Sequence, residues 1–264
     1  MTEYTLIYHA GIPGRGEFVR LLFEATGTPY TDTALTEGQD AIGPYLDGSF
    51  EGNDKNPHPF APPILKHGDT VISQTPNILL YLATHLTSAI DLDAAAEGDE
   101  PASKKTKASP ASVDDPSTFH AHALALTALD LANEAHDTHH PVAVSQYYED
   151  QKDAALPKAK NFREERVPKF FQHFEDNLKR SSTDFLLSTG PSYADLVLFQ
   201  TVDGLKFAFP NLLAKLIPSK YPKVSAHYDR IKAAPRIKAY LESDRRQKYS
   251  MGVFRHYEEL DEKE

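Results

Sequence analysis

The chain has 264 residues, 28 of them basic and 38 acidic, for a formal net charge of −10; that balance disfavours nucleic acid and anionic membrane as partners. It has no cysteine, which excludes a disulfide scaffold, a thiolate zinc site and any mechanism in which the protein's own thiol is the nucleophile. The length suits two modest domains, no apolar run approaches the roughly 18 residues of a membrane span, and the start MTEYTLIYHA lacks the regions of a signal peptide, so a cytoplasmic protein is expected.

Tyr4 to His9 reads as a strand, followed by a Gly/Pro turn and a helix whose Phe18, Val19, Leu21, Leu22 and Phe23 make a broad apolar face ending near Gly27. The turn carries three glycines and Arg15, which raises the question of a phosphate site. Gly11 and Gly16 have P-loop spacing, but Glu17 and Phe18 follow where Lys and Ser or Thr belong. The order Gly11, Gly14, Gly16 reverses a dinucleotide fingerprint. Arg15 is left at the mouth of the turn as a cation for some other anion.

Next, PYTDTAL reads as a strand, and EGQDAIGPYLDGSFEGNDKNPHPFA as a short helix and an irregular loop. A strand from Pro63 to Lys66, a tight turn at His67, Gly68 and Asp69, and a strand from Thr70 to Ser73 then lead into a helix with Ile78, Leu79, Tyr81, Leu82 and Leu86 at spacings of three and four. Pro76 at the first helical position makes Thr75 the expected N-cap. Residues 1–88 thus form a βαβαββα unit. Residues 89–117 are small, charged and Pro-punctuated, as in a flexible linker or insertion.

Residues 118–264 read as all-helical: Phe119 to His136, Ala154 to Lys179, Tyr193 to Phe209, Pro222 to Ala233 and Ile237 to Gln247. Ser192 and Asp195 have capping-box spacing and read as a folding element. His136, Asp137, His139 and His140 cluster, with His136 and His140 on one helical face. No third ligand is fixed by the spacing, so the cluster reads as helix-end histidines and no metal is expected.

A βαβαββα unit followed by an all-helical domain, with the stretches GRGEFVRLLFEATGTPY, APPILKHGDTVISQTPNILLYLATHL, PSYADLVLFQ and YPKVSAHYDRIKAAPRIKAYLESDRR, resembles the cytosolic glutathione transferase family. The pattern is nearest the tyrosine-type alpha, mu and sigma classes, and the tail FRHYEELD resembles fungal members. The resemblance implies a thioredoxin-like fold for the first domain, glutathione as co-substrate, a small hydrophobic electrophile as second substrate, and a homodimer. A non-catalytic carrier or regulatory protein on the same scaffold is the alternative.

By that resemblance Tyr8 is the hydroxyl that stabilises the glutathione thiolate, with Arg15 in support, although the segment from Tyr8 to the Gly-Arg-Gly turn is one residue longer than in those classes. Strand alternation sends His9 to the opposite face, and Arg20 reads as structural. Gln74 and Thr75 are implied to hold the γ-glutamyl carboxylate. A cis bond before Pro63 would expose Pro62, which offers a carbonyl but no N–H. Lys55 and Asn56 would reach the glycine carboxylate, and Asp130 or Glu134 the amine across a dimer interface. Tyr147, Tyr148, Phe254 and Tyr257 are candidates for lining the electrophile pocket.

Overall fold

A computed structural model describes residues 4–86, 90–93, 112 and 114–261, so most of the segment expected as a linker lies outside the described residues. The chain divides into two compact units, 1–118 with 234–248, and 119–233 with 249–264.

The first unit is built on a four-stranded sheet of order β2-β1-β3-β4, with β1 at Tyr4–Ile7, β2 at Tyr30–Asp32, β3 at Ile64–His67 and β4 at Thr70–Ser73. β1 runs parallel to β2 and antiparallel to β3, and β3 pairs antiparallel with β4. The alternation in YTLI sorts the two faces. Ile7 and Ile64 pack with Ile42 and Tyr45 on one side. On the other, Tyr4 meets the ring of Phe23 at 5.4 Å and stacks on His67 at 4.2 Å. That second side carries α1 (Gly16–Thr26) and α4 (Thr75–His85). Gly27 closes α1 in the left-handed conformation (φ 64°), with Gly27 N–H donating to the Glu24 carbonyl and Thr28 N–H to that of Phe23, the paired bonds of a Schellman end. The short helix expected after β2 is two, α2 (Thr33–Thr36) and α3 (Gly43–Leu46), joined by a 3₁₀ turn.

The second unit holds α5 (Pro116–His139) from Phe119 onward, α6 (Lys152–Asn161), α7 (Val167–Arg180), α8 (Tyr193–Ala208), α9 (Pro210–Leu216) and α10 (Pro222–Ala233). The single helix expected from Ala154 to Lys179 is divided by a π-helical turn over Phe162–Arg166. Pro168, lacking an N–H, cannot continue the α-helical ladder there. Phe162, Phe171, Phe174 and Phe199 are fully buried in this unit. Asp195 is also buried, and its carboxylate accepts from Ser192 N–H, Leu186 N–H and His227 Nε2 at 2.8, 2.8 and 3.0 Å, which makes it a folding element. No helix of the described residues is long and apolar enough to cross a membrane.

The chain returns to the first unit through α11 (Pro235–Leu241) and the residues after it. These were expected within the helical domain and as a helix running to Gln247. The helix stops at Leu241, where the Ser243 hydroxyl donates to the Tyr240 carbonyl at 2.7 Å. The attachment is electrostatic as well as apolar. Tyr240 donates its hydroxyl to Glu17 Oε1 at 2.7 Å, Arg246 pairs with Glu17, and Arg245 pairs with Glu24.

Glu17 belongs to a buried polar group centred on Arg20, itself fully buried. Arg20 Nε donates to Asp32 Oδ2 at 2.6 Å, and its NH1 donates to Glu17 Oε2 at 3.2 Å and to the Pro13 carbonyl at 3.1 Å. Removing one member of a buried, hydrogen-bonded ion group strands the remaining charges in a medium that solvates them poorly. Arg20→Ala should therefore lower unfolding free energy by about 3–5 kcal/mol, measured by urea denaturation, whereas Arg230→Ala, whose pair with Asp184 is surface-exposed at 3.8 Å, should cost less than about 1 kcal/mol.

Candidate functional site

The sheet register brings the ends of three strands into one row: Ile7 pairs with Ile64, and Ile64 with Ser73. Adjacent strands lie about 4.7–4.9 Å apart, so Tyr8, Pro63 and Gln74, each one residue beyond that row, leave the sheet at the same end within roughly 10 Å of one another. Helices α1 and α4 also begin at this end, turning two positive dipole ends toward it. An anion is the ligand such an arrangement favours.

Tyr8 is 5% exposed, and its ring packs against Gly14 and Gly16 in the turn into α1. A Cβ on Gly14 would come within 2.3 Å of the Tyr8 oxygen, and one on Gly16 within 2.7 Å of the ring. Both positions therefore need glycine for a steric reason, and Gly14 (φ +50°) for a conformational one as well. The Tyr8 oxygen accepts the backbone N–H of Arg15 at 2.8 Å. A phenol that accepts in this way keeps its own O–H hydrogen for another partner. Burial raises the Tyr8 pKa against the opposing pull of the Arg15 N–H and of the Arg15 and Arg20 charges, so near neutral pH the group is a neutral donor. The extra residue after Tyr8 thus does not turn the hydroxyl away from the start of α1. His9 lies on the other side, its Nδ1 3.0 Å from Gln39 Nε2, and Gln39 Oε1 accepts Ala10 N–H at 3.1 Å. Gln39 thereby pins the segment following Tyr8, a role invisible at a sequence distance of thirty residues.

At the start of α4, Thr75 was expected to cap the helix from outside. It is instead the first helical residue, and Gln74 occupies the cap position with φ 69°, the only positive φ of a non-glycine among the described residues. Such a conformation is held by its surroundings at a cost of about 1–3 kcal/mol and concentrates at ligand sites. Gln74 is exposed, whereas Thr75 is 4% exposed and its hydroxyl has no hydrogen-bond partner within the protein. The Pro62–Pro63 bond is cis.

The other expected residues divide. Arg15 is half-buried at the N-cap of α1, and Lys55 is exposed. Asn56 is buried, and its amide braces the β3–β4 hairpin: Nδ2 donates to the Asp69 carbonyl at 2.7 Å and Oδ1 accepts Val71 N–H at 2.9 Å. Asp130 is exposed on α5 in the second unit, while Glu134 forms a bidentate pair with Arg166 at 2.6 and 2.7 Å. Of the aromatic candidates, Phe254 packs against Gly204, Tyr148 stacks on Tyr257 at 3.8 Å, and Tyr147 is exposed.

Residues 136–244 match the family model for the glutathione S-transferase C-terminal domain. A glutathione S-transferase of Plasmodium falciparum (isolate 3D7) is 23% identical over 247 residues, which span 91% of this chain and 96% of the relative. One from Plasmodium yoelii yoelii is 23% identical over 228 residues, 86% and 88% of the two chains. The solved Pi-class glutathione S-transferase of Onchocerca volvulus gives a TM-score of 0.61 at 21% identity, covering 92% of this chain and 93% of that one. The chain has the glutathione S-transferase fold. In it the first unit supplies the thioredoxin-like sheet, and the second the helical domain to which most of the matched region belongs.

Gly14→Ala tests the seat of Tyr8. The added methyl group must displace the Tyr8 hydroxyl from the Arg15 N–H. The expected outcome is a loss of about 1–3 kcal/mol in stability together with a changed near-ultraviolet tyrosine spectrum, whereas Gly43→Ala, where a methyl meets nothing within 4 Å, should leave that spectrum unchanged.

Proposed function

We propose that the chain is a tyrosine-type glutathione transferase that binds glutathione at this end of the sheet, ionises its thiol and joins it to small hydrophobic electrophiles. The buried, unpartnered Thr75 hydroxyl carries the reading. A hydroxyl buried without a partner costs about 1–3 kcal/mol, a penalty relieved by a carboxylate accepting at the α4 N-terminus. The γ-glutamyl carboxylate of glutathione supplies that acceptor, with Gln74 beside it. The Pro62 carbonyl can receive the cysteinyl N–H, and since Pro62 has no N–H the peptide makes one main-chain bond there. Lys55 is the cation for the glycine carboxylate. Asn56 contributes by bracing the hairpin behind it, and in a homodimer Asp130 of the partner subunit meets the amine.

With glutathione so placed, its sulfur faces the Tyr8 O–H. A free thiol has a pKa of roughly 8.5, and lowering it by about two units takes roughly 2.7 kcal/mol of preferential anion stabilisation. The Tyr8 hydroxyl donates to the sulfur while Arg15 N–H holds the phenol oxygen from behind, and the Arg15 charge adds to the field. The thiol proton leaves to solvent. A sulfur lone pair then forms the C–S bond, and the displaced electron pair departs with the leaving group or takes a proton from water. No metal enters this chemistry.

The finer assignments belong to the same proposal. The tail FRHYEELD supports a fungal member, and a cytoplasmic location suits a glutathione-dependent enzyme. Phe60, 88% exposed beside the site's own loop, supports a homodimer by offering an apolar anchor to a second copy; sedimentation velocity should find a dimer that Phe60→Ala shifts toward monomer.

The deciding experiment pairs glutathione calorimetry with turnover of an activated chloronitroarene. Tyr8→Phe should keep glutathione affinity, lose about 10²-fold in kcat, and raise the bound thiol's pKa as followed by thiolate absorbance. Thr75→Val should weaken binding by about 1.5–3 kcal/mol with no loss of thermal stability in the free protein. Wild-type turnover in both variants would overturn the assignment. Glutathione binding without turnover by the wild type would make the chain a carrier or regulatory protein.

A further inference from the structure

The transferase reading leaves unused a cluster at the far end of α5. There HDTHH places His136, His139 and His140 at i, i+3 and i+4, one face of a helix. The three rings stand at the corners of a near-equilateral triangle, with centres 4.9, 5.0 and 4.9 Å apart, and one nitrogen from each lies within 4.8 Å of the other two. On spacing alone the third ligand was missing. His139 supplies it.

A cluster of core histidines satisfied by one another would show imidazole-to-imidazole hydrogen bonds or carbonyl partners for every buried nitrogen. His139 departs from that. It is 1% exposed, its Nε2 lies 3.3 Å from the Val253 carbonyl, and its Nδ1 is buried with no hydrogen-bond partner. Donation from Nε2 fixes the tautomer in which Nδ1 carries a lone pair, so a ligating nitrogen is left without a donor inside the protein. We infer that His136, His139 and His140 form a binding site for a divalent transition-metal ion of the zinc, nickel or copper kind.

Three further features suit such an ion. Each imidazole has a polar group behind it: His139 the Val253 carbonyl, His136 the Asp137 Oδ1 3.5 Å from its Nδ1, and His140 the side-chain amide of Gln151, whose Nε2 lies 3.3 Å from its Nδ1. Outer partners of this kind set tautomer and ring direction around bound metals. The last carbonyls of α5 place the negative end of the helix dipole beside the site. Nitrogens on a tetrahedral zinc at about 2.0–2.1 Å lie roughly 3.4 Å apart, so modest ring rotations close the site. Imidazole is a preferred donor for these ions over magnesium or calcium. Against this, the Arg255 charge acts on both His139 and His140, which opposes a dication and weakens its binding. The site lies wholly in the second unit and does not depend on the glutathione reading.

The test uses the full chain without a histidine tag, titrated with Co²⁺ and followed by visible absorption and by equilibrium dialysis with elemental analysis. The expected result is one Co²⁺ per chain with the intense bands of a low-coordinate site, displaced by Zn²⁺. His136→Gln, at the half-buried corner, should weaken binding at least about tenfold without moving the metal-free melting temperature, and the pair His136→Gln with His140→Gln should abolish it. His120→Gln, elsewhere on α5, should change nothing. Less than one ion per chain at saturating metal, or a double variant with wild-type Co²⁺ affinity, would overturn the inference.

Discussion

A single buried guanidinium holds the first unit's working parts in relation to one another. Arg20 reaches across from α1 to Asp32 at the end of β2, back to Glu17 one turn earlier, and out to the Pro13 carbonyl in the turn that precedes the helix. Two carboxylates, Glu17 and Asp32, meet two arginines, Arg20 and Arg246, so the group closes near electrical neutrality. An arrangement of this kind adds little net stability over an apolar one of the same shape, but losing one member strands the charges that remain. The tie to Pro13 matters most for chemistry. The turn it fixes carries Gly14 and Arg15, and Arg15 N–H is the group that holds the Tyr8 oxygen. The Arg20 guanidinium also lies 5.8 Å from the centre of the Tyr8 ring.

The site is thus local positive potential on a strongly acidic chain. Net charge −10 governs which macromolecules are repelled at a distance, but it decays over about 10 Å of physiological salt solution. Within the row formed by Tyr8, Pro63 and Gln74, what counts is two helix N-termini, one phenol O–H, one orphan hydroxyl and nearby arginines. A tripeptide with two carboxylates and an ionisable thiol matches that set more closely than a phosphate does, because the donors are spread along the sheet end and not gathered in one nest.

Much of the fold is legible from short-range pattern. YTLI alternates, Gly27 ends α1 in the left-handed conformation that its position demands, and Pro222–Ala233 is a helix with the bounds its prolines and apolar spacing suggest. Family likeness singles out Tyr8, while its seat against Gly14 and Gly16 is set by the folded turn and is not visible in the sequence. What stayed hidden was tertiary. Thr75 failed to cap because Gln74 takes a conformation that no propensity assigns to glutamine. Asn56 looked like a ligand contact, yet its amide is consumed by a hairpin thirteen to fifteen residues away. The return of 234–248 to the first unit depends on Tyr240, Arg245 and Arg246 finding Glu17 and Glu24, partners more than two hundred positions distant.

That return makes the first unit discontinuous in sequence, and synthesis runs from one end. When the sheet and α1 have emerged from the ribosome, Glu17 and Glu24 have only part of their native company, since α11 and the two arginines after it are not yet made. Contacts of such long separation are the slow ones to form. The nascent first unit therefore waits, with Glu17 and Glu24 short of their final partners, until residues 234–248 have been made.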